Sequence, residues 1–174
     1  MIFNVNERAA YAYTGGKAFD AAKPTVVFIH GVLNDHSVWI LQSRYFAHHG
    51  WNVLAIDLPG QGKSGGQPPE SVEHAADTVI ALLDALGVDQ AALVGHSFGS
   101  LIALEAAARA PARVSHLALV GTAFPMPVSP ALLDDVPDLS LELPGQPGPI
   151  QHLGVHIDLG GVRKAGIVPF ETRP

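Results

Sequence analysis

Short apolar runs alternate with helical patterns along the chain from residue 24 to residue 120. Four runs rich in Val, Ile, Leu and Ala stand at residues 25–30, 53–57, 91–95 and 116–120. Uninterrupted apolar runs of this length are typical of strands buried on both faces of a parallel sheet. Upstream, residues 3–5 and 9–13 predict a further pair of strands at an edge of that sheet.

Helical patterns fill the stretches between these runs. The first begins after Ser71, a favourable N-cap residue, and ends at Gly87. Its apolar positions form one stripe at helical spacing: Val72, Ala75, Ala76, Val79, Leu82, Leu83 and Leu86. A second helix, rich in Ala and Leu, begins at Phe98 and is stopped by Pro111. A third is predicted over residues 36–49, with an apolar side that consists of Val38, Leu41, Tyr45 and Phe46.

Alternating strands and helices with short connections predict an α/β fold, in which helices flank a mostly parallel sheet. After the strand at 116–120 this alternation stops, and residues 134–174 become rich in Pro and Gly. We therefore expect an incomplete core over residues 1–133 and a poorly ordered, atypical tail over 134–174. Within the tail, residues 153–159 alternate like a half-buried strand.

The composition and net charge of the chain limit which kinds of partner it can bind. The chain has 10 Lys and Arg against 16 Asp and Glu, a formal charge of −6, and no basic run. It therefore lacks the positive surface that nucleic acid or an anionic membrane requires. No secretory signal and no membrane span is visible, so we expect a cytoplasmic protein. The absence of cysteine excludes thiol chemistry, and no histidine pair has the spacing of a metal site.

The strongest chemical signal is Gly95-His96-Ser97-Phe98-Gly99, between a predicted buried strand and a predicted helix. In that context G-x-S-x-G predicts a nucleophile elbow, a strained turn that exposes the hydroxyl of Ser97. Glycines on either side avoid clashes across the turn. The N–H of Phe98, at the start of the helix, is a candidate oxyanion donor. The alternative interpretation is an ordinary strand–turn–helix junction.

A second candidate donor follows the first buried strand. In His30-Gly31-Val32, the glycine lets the chain bend so that the N–H of Val32 points at the same oxygen as that of Phe98. His30 alone is weak evidence, because a single histidine is more often structural than catalytic.

The loop from Gly60 to Gly65 also fits two phosphate-binding patterns. A P-loop requires glycine at position 57, where Asp57 stands, and a dinucleotide-binding turn opens directly into a helix, which Pro68 and Pro69 delay here. We therefore expect no nucleotide and no other cofactor.

Taken in order, His30-Gly31, the loop from Asp57 to Ser64, the elbow and the strand at 117–121 resemble the N-terminal half of the α/β-hydrolase superfamily, and most of all its ester hydrolases. The resemblance implies that Ser97 is the nucleophile and that Val32 and Phe98 are the oxyanion donors. It also implies that Asp57 and Ser64 hold their loop. A serine at the elbow disfavours the haloalkane- and epoxide-opening branches, which use aspartate there. A small hydrophobic ester is the expected substrate.

The family takes its acid and its base after the nucleophile, in the order Ser, Asp or Glu, His. Both usually follow strands that this chain does not show, so we expect a truncated member whose activity is impaired. The tail holds candidates in the right order: Asp134, Asp135 and Asp138 for the acid, and His152 and His156 for the base. We favour the interpretation that these candidates are incidental residues of a flexible tail, because a catalytic triad needs a rigid scaffold.

Two functional hypotheses follow. The chain is either a serine hydrolase of acyl substrates or a non-catalytic, degenerate fragment that at most binds a ligand or a partner. Residues 153–159 could pair with the strand at 116–120. The Gly and Pro run at 144–149 is a flexible connection, and the entropy lost in ordering it disfavours this pairing. We therefore expect an exposed sheet edge and self-association through it.

Overall fold

The computed structural model describes residues 1–5, 8–20 and 22–122, which form a six-stranded sheet with flanking helices. The strands are β1 (Ile2–Val5), β2 (Arg8–Tyr13), β3 (Thr25–Ile29), β4 (Asn52–Ile56), β5 (Ala91–His96) and β6 (Val114–Val120). The helices are α1 (Ile40–His48), α2 (Val72–Ala85) and α3 (Phe98–Arg109), and short 3-10 turns precede α1 (His36–Trp39) and β6 (Pro111–Arg113).

The strands lie in the order β1-β2-β4-β3-β5-β6. Strands β3 to β6 are parallel to one another, whereas β1 and β2 pair antiparallel at the edge beside β4. This arrangement confirms the predicted α/β fold and the predicted edge pair. Because β3 to β6 run in the same direction, the loops that follow them all leave from one edge of the sheet.

The central strands are apolar throughout because both faces of the sheet are covered. Val27 and Ile29 of β3 pack in the cluster that includes the apolar residues of α2 and α3. Val26 and Phe28, the alternate residues, pack with Trp39 on the other face. A strand between two such layers has no position for an exposed polar side chain, which explains its continuous apolar run.

Helix α2 forms where the sequence predicts it. The hydroxyl of Ser71 accepts a hydrogen bond from the N–H of His74 at 3.1 Å, which caps the first turn. Gly87 follows the last turn with a φ of 62°. Five residues of the predicted stripe are buried: Ala75, Ala76, Val79, Leu82 and Leu83.

The predicted apolar side of the helix over 36–49 is wrong. Val38, Leu41 and Tyr45 face outward, with exposed fractions of 43%, 74% and 60%. Ser43 and Ala47 lie buried, and only Phe46 of the predicted set packs with the core. The first turn is a 3-10 helix, which shifts the phase of the side chains, and small residues let α1 approach the sheet.

Three predictions about the organisation of the chain concern residues that the structure does not describe. The boundary at 133, the tail over 134–174 and its alternating segment at 153–159 lie outside them. No helix among residues 1–122, as far as they are described, is long and apolar enough to cross a membrane. The cytoplasmic location stays a prediction.

Truncation of a core leucine tests this packing. Leu54 is fully buried in β4, whereas Leu41 is 74% exposed. We expect Leu54→Ala to lower the free energy of unfolding by about 2–5 kcal/mol, because it leaves a cavity in the apolar cluster on the face of the sheet that α2 and α3 cover. The control Leu41→Ala changes it by less than about 0.5 kcal/mol. Urea unfolding of both variants checks the difference, and equal losses would contradict the burial of Leu54.

Candidate active site

Ser97 lies in the tight turn between β5 and α3. Its backbone has a φ of 53° and a ψ of −122°, a conformation that non-glycine residues rarely adopt. Such a residue costs on the order of 1–3 kcal/mol and persists only where the surrounding structure holds it. The strain predicted for the elbow is therefore confirmed.

Two glycines make this turn sterically feasible. A Cβ atom on Gly95 would collide with the carbonyl oxygen of Gly99, and one on Gly99 would collide with the carbonyl oxygen of Ile29. The end of β3 therefore packs directly against the backbone of the first turn of α3. Any side chain at residue 95 or 99 would force these segments apart.

Hydrogen bonds to its backbone hold the strained serine. Its N–H donates to the carbonyl oxygen of Val120 at 2.9 Å, which ties the elbow to the end of β6. Both the N–H and the hydroxyl of Ser100 donate to the carbonyl oxygen of Ser97. The turn is thus fixed from both sides, and the side chain of Ser97 is half-buried.

The loop after β3 lies against this turn. A Cβ atom on Gly31 would stand 3.1 Å from the Cβ of Ser97 and 3.3 Å from the Nδ1 of His96. Val32 follows Gly31 directly, so its backbone is a near neighbour of the serine. Leu33 adds strain to the same loop, because it has a φ of 58° and a side chain that is 62% exposed.

His30 is a structural residue. It is fully buried, its Nε2 accepts a hydrogen bond from the N–H of Leu58 at 3.1 Å, and its Nδ1 lies 2.8 Å from the carbonyl oxygen of Gly31. Only the neutral ring with its proton on Nδ1 makes both bonds. The side chain therefore joins the loop after β3 to the loop after β4, as expected of a histidine with no catalytic role.

Asp57 organises the loop after β4. Its carboxylate is buried and accepts hydrogen bonds from the N–H of Lys63 at 2.8 Å and from the N–H of His36 at 2.7 Å. The hydroxyl of Ser64 donates to the carbonyl oxygen of Asp57 at 2.7 Å and accepts from the N–H of Tyr11 at 2.9 Å. These bonds agree with the loop-holding role that the resemblance implies for Asp57 and Ser64.

Sequence reasoning missed a cluster beside this loop. Possible metal-binding atoms of Asp35, His36 and Asp57 lie within 4.8 Å of one another. The Nδ1 of His36 is already 2.8 Å from the Oδ1 of Asp57, and its ring packs against Tyr11 with 4.8 Å between the ring centroids. These contacts account for the cluster as a support of the loop, so we assign no metal to it.

The structure thus brings Val32, Ser97 and Phe98 to one edge of the sheet, at the ends of β3 and β5. Phe98 is the first residue of α3, where backbone N–H groups have no partner within the helix. The candidate acid and base, Asp134, Asp135, Asp138, His152 and His156, lie outside the described residues.

Comparison with known proteins places the chain in a family. A family model described as the alpha/beta hydrolase fold matches residues 24–146, most of the chain. The chain therefore belongs to the alpha/beta hydrolase fold family, as its motifs predicted. The match ends 13 residues beyond residue 133, where the incomplete core was expected to end.

The curated relatives are longer than this chain. The dihydrolipoyllysine-residue acetyltransferase component of an acetoin cleaving system from Cupriavidus necator is 37% identical over 114 residues, which are 65% of this chain and 29% of that protein. Bifunctional epoxide hydrolase 2 of Sus scrofa is 33% identical over 111 residues, 62% of this chain and 20% of that protein.

The fold is also similar to that of solved hydrolases. The crystal structure of epoxide hydrolase A from Mycobacterium thermoresistibile matches with a TM-score of 0.62 and 26% identity, over 68% of this chain and 37% of that chain. The chain therefore spans between about a fifth and two fifths of the length of these three proteins.

Acid should weaken the described fold through His30. Burial lowers the pKa of His30 below its ordinary value of 6.5, so the unfolded chain binds a proton at this side chain before the folded chain does. The free energy of unfolding is therefore fully retained above pH 6.5 and decreases as the pH falls below that value.

The variant His30→Asn, which cannot titrate, should have a lower stability but a flatter decrease with acid. His48→Asn, at an exposed histidine, is the matched control and should keep the original slope. Urea unfolding at a series of pH values measures both slopes. An unchanged slope in His30→Asn would show that His30 is not held neutral.

Proposed function

We propose that the chain is a serine hydrolase of carboxylic esters or related acyl substrates, with Ser97 as the nucleophile. The observation that carries the proposal is the conformation of Ser97, with a φ of 53°, between two glycines that no larger residue can replace. Strain of this kind is stored at functional sites, where it presents a reactive group.

The chemistry of a serine hydroxyl supports attack on a carbonyl carbon. The hydroxyl adds to the carbonyl, a base takes its proton, and the carbonyl oxygen becomes an oxyanion in the tetrahedral intermediate. The epoxide-opening branch of the superfamily, as the resemblance implies, has an aspartate at the elbow. A carboxylate is already ionised, so it would not need a base to act as a nucleophile. The serine therefore favours acyl transfer to water, although some of the relatives are named epoxide hydrolases.

The oxyanion would be stabilised by the N–H groups of Val32 and Phe98. Phe98 supplies the N–H of a helix first turn, where the helix dipole also favours negative charge. Val32 follows Gly31, whose position against the Cβ of Ser97 supports an approach of the Val32 N–H to the same oxygen. Two such donors are the usual composition of an oxyanion hole.

Two described histidines between β3 and β4 are already engaged and do not serve as the proton acceptor. His30 has both ring nitrogens engaged, and the Nδ1 of His36 is engaged with Asp57. We therefore propose that either a histidine of the later chain, His152 or His156, takes the proton or that the activity of this chain is impaired.

Removal of the hydroxyl of Ser97 tests whether this residue is the nucleophile. We expect Ser97→Ala to abolish both labelling by a fluorophosphonate and hydrolysis of an aryl ester. Without the hydroxyl, neither the phosphonyl-serine ester, which forms with loss of fluoride, nor the acyl-enzyme can form at the elbow. Ser37→Ala, at an exposed serine, is the matched control and should be labelled like the unmodified chain. Labelling that survives in Ser97→Ala would overturn the mechanism. A folded, unmodified chain that is not labelled would favour the non-catalytic alternative.

The size of kcat tests whether the chain supplies the histidine that takes the proton from Ser97. Without a positioned histidine, the oxyanion hole and binding alone accelerate hydrolysis by roughly 10³–10⁴ over water. A kcat of about 10 s⁻¹ would instead show that the chain supplies its own base. In that case His152→Ala and His156→Ala should identify it, since only the variant that lacks the base loses the activity. Stopped assays with an aryl ester distinguish these outcomes.

A further inference from the structure

The carbonyl of Gly31 and the N–H of Val32 belong to the same peptide group. A peptide group that does not precede proline is planar and trans, so its C=O and N–H point in opposite directions. Any contact that fixes the carbonyl oxygen of Gly31 therefore also fixes the direction of the Val32 N–H. Among the residues that the structure describes, that N–H donates to no backbone or side-chain acceptor, which leaves it available to an oxygen atom of a bound substrate.

The ring of His30 holds the carbonyl oxygen of Gly31. The Nδ1 of His30 lies 2.8 Å from this oxygen, and the side chain is fully buried. A longer bond from the backbone N–H of Asn34, at 3.4 Å, closes the turn on the same oxygen. A hydrogen bond is stronger in a buried environment than in water, so the ring is a firm restraint on this peptide group.

The loop after β4 decides that His30 donates rather than accepts at Nδ1. The N–H of Leu58 donates to the Nε2 of His30 at 3.1 Å. Burial lowers the pKa of His30 below 6.5, which keeps the ring neutral at pH 7. A neutral imidazole carries one proton, so a bond accepted at Nε2 leaves that proton on Nδ1. Hydrogen bonds therefore run in one direction, from Leu58 through the ring to the carbonyl oxygen of Gly31.

We propose that His30 is a positioning residue of the oxyanion hole, and that its ring holds the Gly31–Val32 peptide group with the N–H directed at the oxyanion. This role rests on the proposed function, in which that N–H is one of the two donors. His30 itself touches no reacting atom. Its bond to the carbonyl oxygen also polarises the N–H of the same peptide group, because hydrogen bonds in a chain strengthen one another. A donor that is already aimed costs no reorganisation when the negative charge forms.

The same peptide group lies beside the elbow. A Cβ atom on Gly31 would stand 3.1 Å from the Cβ of Ser97, so this backbone is within contact range of the candidate nucleophile. The next peptide group is held separately, by a bond of 3.1 Å from the side chain of Asn34 to the carbonyl oxygen of Val32. Asn34 is exposed, so water competes for its bond, whereas the bond from His30 is buried. The ring is therefore the stronger restraint on this loop.

Two substitutions that each keep half of the imidazole test this role in the full-length chain. In His30→Asn the amide N–H lies near the place of Nδ1, so the variant keeps the donor to Gly31 and loses the acceptor for Leu58. In His30→Gln the longer side chain brings the amide oxygen near the place of Nε2, so the variant keeps the acceptor and loses the donor. If the side chain only joined the two loops, the variants would differ in stability but not in the reactivity of Ser97.

The rate constant for labelling of Ser97 by a fluorophosphonate measures the oxyanion hole, because negative charge forms on the phosphonyl oxygen as the serine attacks. We expect His30→Asn to stay within about threefold of the unmodified chain. His30→Gln should be labelled at least about tenfold more slowly, since loss of a whole oxyanion donor costs about 10²–10³ in rate.

Asn52→Ala is the matched control for a general loss of stability. Asn52 is also buried and joins backbone segments, since its amide donates to the carbonyl oxygens of Asp20 at 2.6 Å and Lys23 at 3.1 Å. It begins β4, at the end of the sheet opposite to the elbow. This variant should lose stability in urea unfolding but keep the labelling rate constant of the unmodified chain.

The outcomes separate this role from the proposed function. Labelling of the unmodified chain, with equal or reversed rate constants in the two His30 variants, would overturn the positioning role and leave the proposed function intact. An equally slow Asn52→Ala would also overturn it, because the effect would then follow from stability. A folded, unmodified chain that is not labelled would overturn both.

NMR of the unmodified chain tests the same contact without any variant. We expect the ring proton of His30 on Nδ1, and a scalar coupling across the hydrogen bond from Nδ1 to the carbonyl carbon of Gly31. A ring proton on Nε2 would overturn the proposal even if both variants failed to fold.

Discussion

The close approach of three backbone segments at the elbow is the constraint on which the rest of this structure depends. The end of β3, the end of β5 and the first turn of α3 meet without intervening side chains because residues 95 and 99 are glycines. This contact positions α3 on the sheet and brings the loop after β3 against Ser97. The strain at Ser97 is offset by hydrogen bonds from Ser100 and to Val120, which lie on α3 and β6. These bonds to the N–H and the carbonyl oxygen of Ser97 hold the backbone of the candidate nucleophile in place.

Buried polar groups hold the neighbouring loops at the same edge of the sheet. His30 connects the loops after β3 and β4, and Asp57 gathers the backbone of its own loop and of the turn that begins at His36. Groups of this kind are costly to bury unless each donor and acceptor has a partner. Here the partners are mostly backbone amides, so loss of one side chain would release a whole loop. Catalytic geometry in this fold would thus depend on residues that never touch a substrate.

The elements that could be predicted are those specified by neighbours in the sequence. Helix α2 has a cap at Ser71, an apolar stripe and a terminating Gly87, and it forms over Val72–Ala85 as that pattern requires. The exposed side of α1 could not be predicted in the same way. Val38, Leu41 and Tyr45 are apolar but lie outside the core, since the small residues Ser43 and Ala47 are the ones that face the sheet. Hydrophobicity alone does not tell an exposed apolar face from a buried one.

The sequence by itself determined the succession of strands and helices and the turn at Gly95–Gly99, because spacing and backbone sterics act over a few residues. Only the tertiary structure decided which loops meet there. The contact of His30 with Leu58 joins residues 28 apart in the chain, and that of His36 with Asp57 joins residues 21 apart. Local patterns carry no information about contacts of this range, because the sheet brings them together through its strand order.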